Sequence, residues 1–320
     1  MARQVYGQAG VVDPDAQAVL DLVKSLDRPP LQALGVADAR KSPAGSRALF
    51  GLPPPAARTR DLIADLPGGP TAMRLYRPQA APDDEPLPLA LYFHGGGWML
   101  GDLDFGHWFC AALVDRLNLA VLAIDYRLAP EHPFPAAVED AVAALDWAVA
   151  EAQALAVRPD RMAVVGDSAG GNLAAVCAIH ARDAGQAGLK AQVLVYPATD
   201  LTMASGSYRR NAEGYLLMAD TMAWFIDAYL AGADARDWRA SPIQAELKGV
   251  APALVINGGF DVLCDEAEAY ADKLEAAGVP VRRVHFAGQL HGFLLWAKVV
   301  GQSRLALDAI VEALRERLTG

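Results

Sequence analysis

The chain has 320 residues, 53% hydrophobic and 21% charged, a balance that lets one large α/β domain bury enough apolar surface to offset chain entropy and excludes large-scale disorder. Its 28 Lys and Arg against 38 Asp and Glu leave a net charge of −10, a field that repels phosphate backbones and anionic membrane surfaces, so nucleic acid and stable membrane association are excluded as partners. Cys110, Cys177 and Cys264 are odd in number and far apart, which suits reduced thiols better than a disulfide framework or a paired-cysteine metal site.

In chain order, Met1 to Gly10 holds one early Arg and no apolar stretch after it, and no later window could span a bilayer without charges or glycines, so a cytoplasmic protein is expected. Asp13-Pro14 opens an amphipathic helix. Asp stands at the N-cap, Pro at the first helical position, and Ala16, Val19, Leu20, Val23 and Leu26 recur at spacings of three and four until Pro29-Pro30 ends it. The stretch from Leu62 to Arg77 predicts a hairpin joined by Pro67-Gly68-Gly69-Pro70, followed by a polar, proline-rich connection.

From Leu89 onward, short continuous apolar runs alternate with helical periods, the signature of parallel strands covered on both faces. The expected strands are 89–93, 120–124, 162–165, 192–196, 253–257 and 281–286, and the expected helices 136–155, 171–184, 266–277 and 304–318. One segment breaks the alternation. Residues 201–239 carry Tyr208, Tyr215, Trp224, Phe225, Tyr229 and Trp238 between two strand candidates. With residues 1–45 this insertion is the expected cap over a core made of 46–200 and 240–320; an extra helix pair packed there for stability is the alternative.

The chemistry starts at Arg161 to Gly171, RMAVVGDSAGG, where an apolar strand runs directly into Gly166-Asp167-Ser168-Ala169-Gly170. A nucleophile on a sharp strand-to-helix turn needs small residues two positions either side, and the turn aims the next helix N-terminus at the reacting carbonyl. Neither a dinucleotide fingerprint nor a P-loop is present. A serine hydroxyl needs a base, and the base needs an orienting acid. After Ser168 the histidines are His180, inside the helix that starts at the serine, His285, inside a strand, and His291, in the loop GQLHGF. His291 is therefore the expected base. Asp261, just past a strand and Gly258-Gly259, is the preferred acid over Asp265, which suits the N-cap of the helix near Glu266. His94-Gly95-Gly96-Gly97-Trp98 follows LALYF; its glycines let backbone N–H groups approach a substrate oxygen, while His94 is expected to anchor the loop.

Taken together, FHGGGWMLGDLD (93–104), DYRLAPEHPFPAAVEDA (125–141), GDSAGGNLA (166–174), YPATD (196–200), EGYLLMADTMAWFIDAYL (213–230), SPIQAEL (241–247), FDVLCDEAEAYADKL (260–274) and HGF (291–293) resemble the hormone-sensitive-lipase family of bacterial esterases, family IV, in its GDSAG branch. The resemblance implies an α/β-hydrolase fold with an eight-stranded, mostly parallel sheet, helices on both faces and a helical cap. It further implies hydrolysis of short to medium acyl esters without a cofactor or metal, with Gly96, Gly97 and Ala169 as oxyanion donors. Trp98, Tyr196 and Tyr215, inside these motifs, are the expected substrate contacts. Val262 and Cys264 stand where the family usually has Pro and Arg, so an altered loop or surface is expected there without loss of the acid.

The six histidines are scattered without metal-ligand spacing, which sets a metal hydrolase aside. A non-catalytic ligand-binding protein on the same scaffold is disfavoured by His291. Amide hydrolysis or acyl transfer would use the same triad. The expected partner is a small-molecule ester, and a homodimer is compatible with the sequence.

Overall fold

A computed structural model describes residues 3–41 and 54–319 of the chain. The apolar runs form strands β1 (Gln4–Tyr6), β2 (Ala57–Leu66), β3 (Gly69–Pro78), β4 (Leu87–Phe93), β5 (Ala120–Ile124), β6 (Val157–Asp167), β7 (Leu189–Val195), β8 (Ala253–Phe260) and β9 (Val281–Leu290). They make one sheet in the order β1-β9-β8-β7-β6-β4-β5-β3-β2. Neighbours from β1 to β5 run parallel, and only the two pairs made by β3 are antiparallel.

Among the described residues the sheet has nine strands where eight were expected. The extra strand is β1, whose Gln4, Val5 and Tyr6 pair with Val284, His285 and Phe286. Three residues carry no periodicity to read; partnership with β9 and the Tyr6 ring, 5.0 Å from that of Phe286, hold them in place. The hairpin β2–β3 is as expected, though longer, with Pro67-Gly68 as its turn.

Successive side chains of a strand point to opposite faces, and both faces are covered. In β4, Leu87, Leu89, Leu91 and Phe93 enter one core cluster and Ala90 and Tyr92 the other. The first cluster packs under helices α4 (Ala136–Ala150) and α5 (Ala169–Asp183), the second under α3 (His107–Arg116) and α9 (Gln302–Leu314). Helix α3 was not expected. It buries every residue from Phe109 to Val114, so it shows no apolar stripe to reveal it.

Further helices include α1 (Pro14–Ser25), α2 (Leu31–Leu34), α6 (Ser207–Arg210), α7 (Ala219–Leu230) and α8 (Cys264–Ala276). Asp13 is at the N-cap of α1 but makes no side-chain cap there; its carboxylate instead accepts from Gln289 Nε2 at 3.1 Å and Gln302 Nε2 at 2.6 Å. Helix α8 starts earlier than expected, so Asp265 lies in its first turn and pairs with Arg210 at 2.6 Å; it is not the N-cap.

The two segments expected to form a cap occupy different places. Ala16 and Val19 of α1 join the cluster under α3 and α9, whereas Met222, Phe225, Ile226 and Tyr229 of α7 join the other. It is α2 that meets α7, where the Thr221 hydroxyl donates to Gln32 Oε1 at 3.0 Å. The expected boundary at residues 45 and 46 lies outside the described residues. Among the described residues no helix is long and apolar enough to cross a membrane.

Candidate active site

Strand β6 hands the chain to α5 through Ser168, whose φ of 56° and ψ of −119° lie in a strained region for a residue with a Cβ. The turn survives because its flanks are bare. A Cβ on Gly166 would strike the Gly170 carbonyl, and one on Gly170 would strike that of Phe93. Ala169 opens α5, where helix geometry leaves the first N–H groups without intrahelical acceptors.

Loops after β8 and β9 bring two further groups to the serine. His291 Nε2 lies 2.9 Å from Ser168 Oγ, and Nδ1 lies 2.7 Å from Asp261 Oδ2. The Asp261 carboxyl is fully buried, and its Oδ1 accepts the Leu263 N–H at 2.8 Å. The Asp261 carbonyl accepts Asn211 Nδ2–H at 2.8 Å, so the insertion also fixes the Asp261 loop. The two other histidines after Ser168 are elsewhere. His180 turns to Asp146 at 3.0 Å, and His285 faces Asn257 Oδ1 at 2.5 Å, its pKa lowered by burial.

The glycine loop after β4 comes to the same place. Gly96 and Gly97 have φ of 120° and 61°, a region that glycine enters without a Cβ clash. His94 is buried in this loop, stacked 4.4 Å from Tyr126, and its Nδ1–H donates to the Gly95 carbonyl at 2.7 Å. The loop is bound to the elbow by Asp167, the residue before the serine. Asp167 Oδ1 accepts the Tyr92 hydroxyl at 2.7 Å and the Gly95 N–H at 3.1 Å. Burial pushes its pKa up to about 6, against the pull of those two hydrogen bonds.

Residues 90–295 match a family described by the alpha/beta hydrolase fold. The carboxylic ester hydrolase LipN of Mycobacterium tuberculosis is 43% identical over 81% of this chain and 70% of its own length. An ethyl acetate hydrolase of Pseudomonas putida is 37% identical over 96% of this chain and 99% of its own. The chain belongs to the α/β-hydrolase family, in its hormone-sensitive-lipase branch. Among solved structures, a thermostable esterase from Pseudomonas putida superposes with a TM-score of 0.91 at 34% identity, covering 98% of this chain and 99% of that one. The chain is accordingly a carboxylic ester hydrolase.

Within this hydrolase, two expected substrate contacts are corrected. Trp98 is completely buried, its indole stacked 4.4 Å from the Tyr229 ring at 5°. Tyr196 is equally buried and packs its ring 4.8 Å from that of His291. Neither presents surface to a ligand, because an aromatic beside a motif is as easily recruited to hold the motif. Tyr215 is half-buried within the insertion, its ring 5.1 Å from that of Phe260. Val262 and Cys264 are also buried, so the departure from the usual Pro and Arg is in the packing under the acid loop and not on the surface. Burial pushes the Cys264 thiol up to about 12, followed by the nearby Asp261 charge. The sequence offered Asp167 only as a branch marker. A charged residue ending the apolar run MAVVG was the available signal that it serves something buried.

Proposed function

We propose that this hydrolase cleaves short to medium acyl carboxylic esters by double displacement at Ser168. The observation that carries the reading is His291 bridging the serine at 2.9 Å and the acid at 2.7 Å, in the chain order Ser, Asp, His. Ser168 Oγ attacks the ester carbonyl carbon while its proton passes to His291 Nε2. Asp261 stays ionised and accepts Nδ1–H, which holds the imidazole in the productive tautomer and stabilises the imidazolium. The carbonyl oxygen, now an oxyanion, takes hydrogen bonds from the N–H groups of Gly96, Gly97 and Ala169. Collapse expels the alcohol, protonated from Nε2, and leaves an acyl-serine. Water repeats the sequence with His291 as base and releases the acid.

Residues 14–27 and the insertion 201–239 cover the strand ends in this reading and limit the depth of the acyl pocket, with Tyr215 at its wall. The test is hydrolysis of p-nitrophenyl esters by Ser168→Ala and His291→Ala, with circular dichroism as a control for folding. Each should lose about 10⁴-fold or more in kcat. Near-normal turnover by a folded Ser168→Ala protein would end the reading.

A further inference from the structure

Trp98 follows the last glycine of the oxyanion loop with a φ of 57°, a left-handed conformation that a bulky L-residue enters only under constraint. Such a conformation persists when its surroundings over-determine it. Here the constraint acts through the indole. It is fully buried and lies nearly parallel to the Tyr229 ring of α7, 4.4 Å away. One turn back on α7, Phe225 covers Gly97 so closely that a Cβ on that glycine would run into its ring. The Trp98 carbonyl accepts the Ala129 N–H at 2.9 Å, and the Tyr229 carbonyl accepts the Phe134 N–H at 2.7 Å, so the backbones beneath both rings are pinned to one loop, 129–134. Arg40 bridges the two segments, donating to the carbonyls of Met99, next to Trp98, and of Ala129 at 2.9 and 3.0 Å.

We propose that helix α7 positions the oxyanion loop: Tyr229 stacked on Trp98, and Phe225 against Gly97, hold the backbone of Gly96 and Gly97 in donor geometry. The insertion then acts on the chemical step as well as on substrate entry, and Phe225 and Tyr229 are positioning residues. The role is steric. The Tyr229 hydroxyl and the Trp98 Nε1 are both buried without a hydrogen-bond partner among the described residues, so the contact is carried by ring faces and not by polar groups. Oxyanion stabilisation depends on donors already aimed at the developing charge, and a loop released from its clamp must reorganise during the reaction.

The inference rests on the serine-esterase reading, and the experiment separates the two. Full-length wild-type, Tyr229→Ala and Tyr229→Phe proteins are compared on p-nitrophenyl acetate and hexanoate, and in their affinity for an aliphatic trifluoromethyl ketone, whose serine adduct carries an oxyanion. Tyr229→Ala should lower kcat on both esters by one common factor, about tenfold to 10²-fold, with KM within about threefold and ketone affinity falling in parallel. Tyr229→Phe should restore all three. An unchanged kcat on acetate, with only KM or the acetate-to-hexanoate ratio altered, would overturn the inference and leave α7 a pocket wall. If Tyr229→Ala does not fold, Phe225→Leu is held to the same criteria. A wild-type protein without ester hydrolysis would end the serine-esterase reading itself, whereas an active wild type with an unaffected Tyr229→Ala ends only the inference.

Discussion

The two segments that leave the α/β core, α1 and α7, brace different halves of the site by different physics. Helix α1 works through carboxylates. Asp13 takes Gln289 and Gln302, Asp15 takes Gln289 Nε2 at 3.0 Å and the Gly301 N–H at 2.8 Å, and the Asp13 N–H reaches the Gly288 carbonyl at 3.0 Å. Those residues flank His291, so α1 holds the His291 loop from outside. Helix α7 works through ring faces laid on the glycine loop. A histidine must keep a directional pair of hydrogen bonds, and its loop is restrained by directional contacts. Gly95, Gly96 and Gly97 have no side chains to tie, so this loop is held through its backbone groups and by filling the space around it. Asp167 adds a polar anchor at the start of the glycine loop by accepting the Gly95 N–H.

The contrast between the two braces breaks first at Asp167. Asp167→Ala leaves the Gly95 N–H and the Tyr92 hydroxyl without an acceptor and should lower kcat about 10²-fold, read on p-nitrophenyl butyrate. Asp167→Asn keeps an acceptor oxygen and should retain most activity. It should also reveal a cost. The folded carboxyl is raised from its ordinary 3.8 to about 6, so its contribution to stability is full below 3.8 and is lost as pH rises through 6. At pH 7 that loss is about 3 kcal/mol, because each tenfold difference in proton affinity between the folded and unfolded chain is worth about 1.36 kcal/mol. Denaturant titrations should find Asp167→Asn more stable than wild type at pH 7, with the gain vanishing toward pH 4. A gain that persists at pH 4 would mean that the buried charge is not its cause.

A smaller effect is expected on the other side. Asp13→Ala with Asp15→Ala removes several hydrogen bonds at half-buried positions and should cost about 2–4 kcal/mol of stability. The kcat loss should be only a few-fold, because Asp261 and the Tyr196 ring still orient His291. A loss as large as that of Asp167→Ala would show that the two braces are equivalent. The smallest effect is on chain length. Short and medium p-nitrophenyl esters should be cleaved faster than long ones, because a methylene outside the pocket forgoes about 0.8 kcal/mol of burial. Removing residues 1–30 should flatten that profile more than it lowers the rate on acetate. A truncated, folded protein with an unchanged profile would make α1 a brace for the histidine loop alone.

Much of the fold and the candidate triad was legible because each rests on local chemistry. Short, continuous apolar runs bounded by turn residues commit to strands, and a strained serine turn must be flanked by Gly166 and Gly170 whatever the rest of the chain does. His291 and Asp261 followed from chain order and from their places after strands β9 and β8. What tertiary structure alone decided are contacts between segments distant in sequence. The strand β1 exists because β9 offers it an edge. Trp98 is a buried lever and not a substrate contact because Tyr229, far along the chain, lies over it, and Tyr196 is spent on the His291 ring. Composition shows that an aromatic side chain will be buried, but the face it is buried against is set by which elements the sheet order brings together.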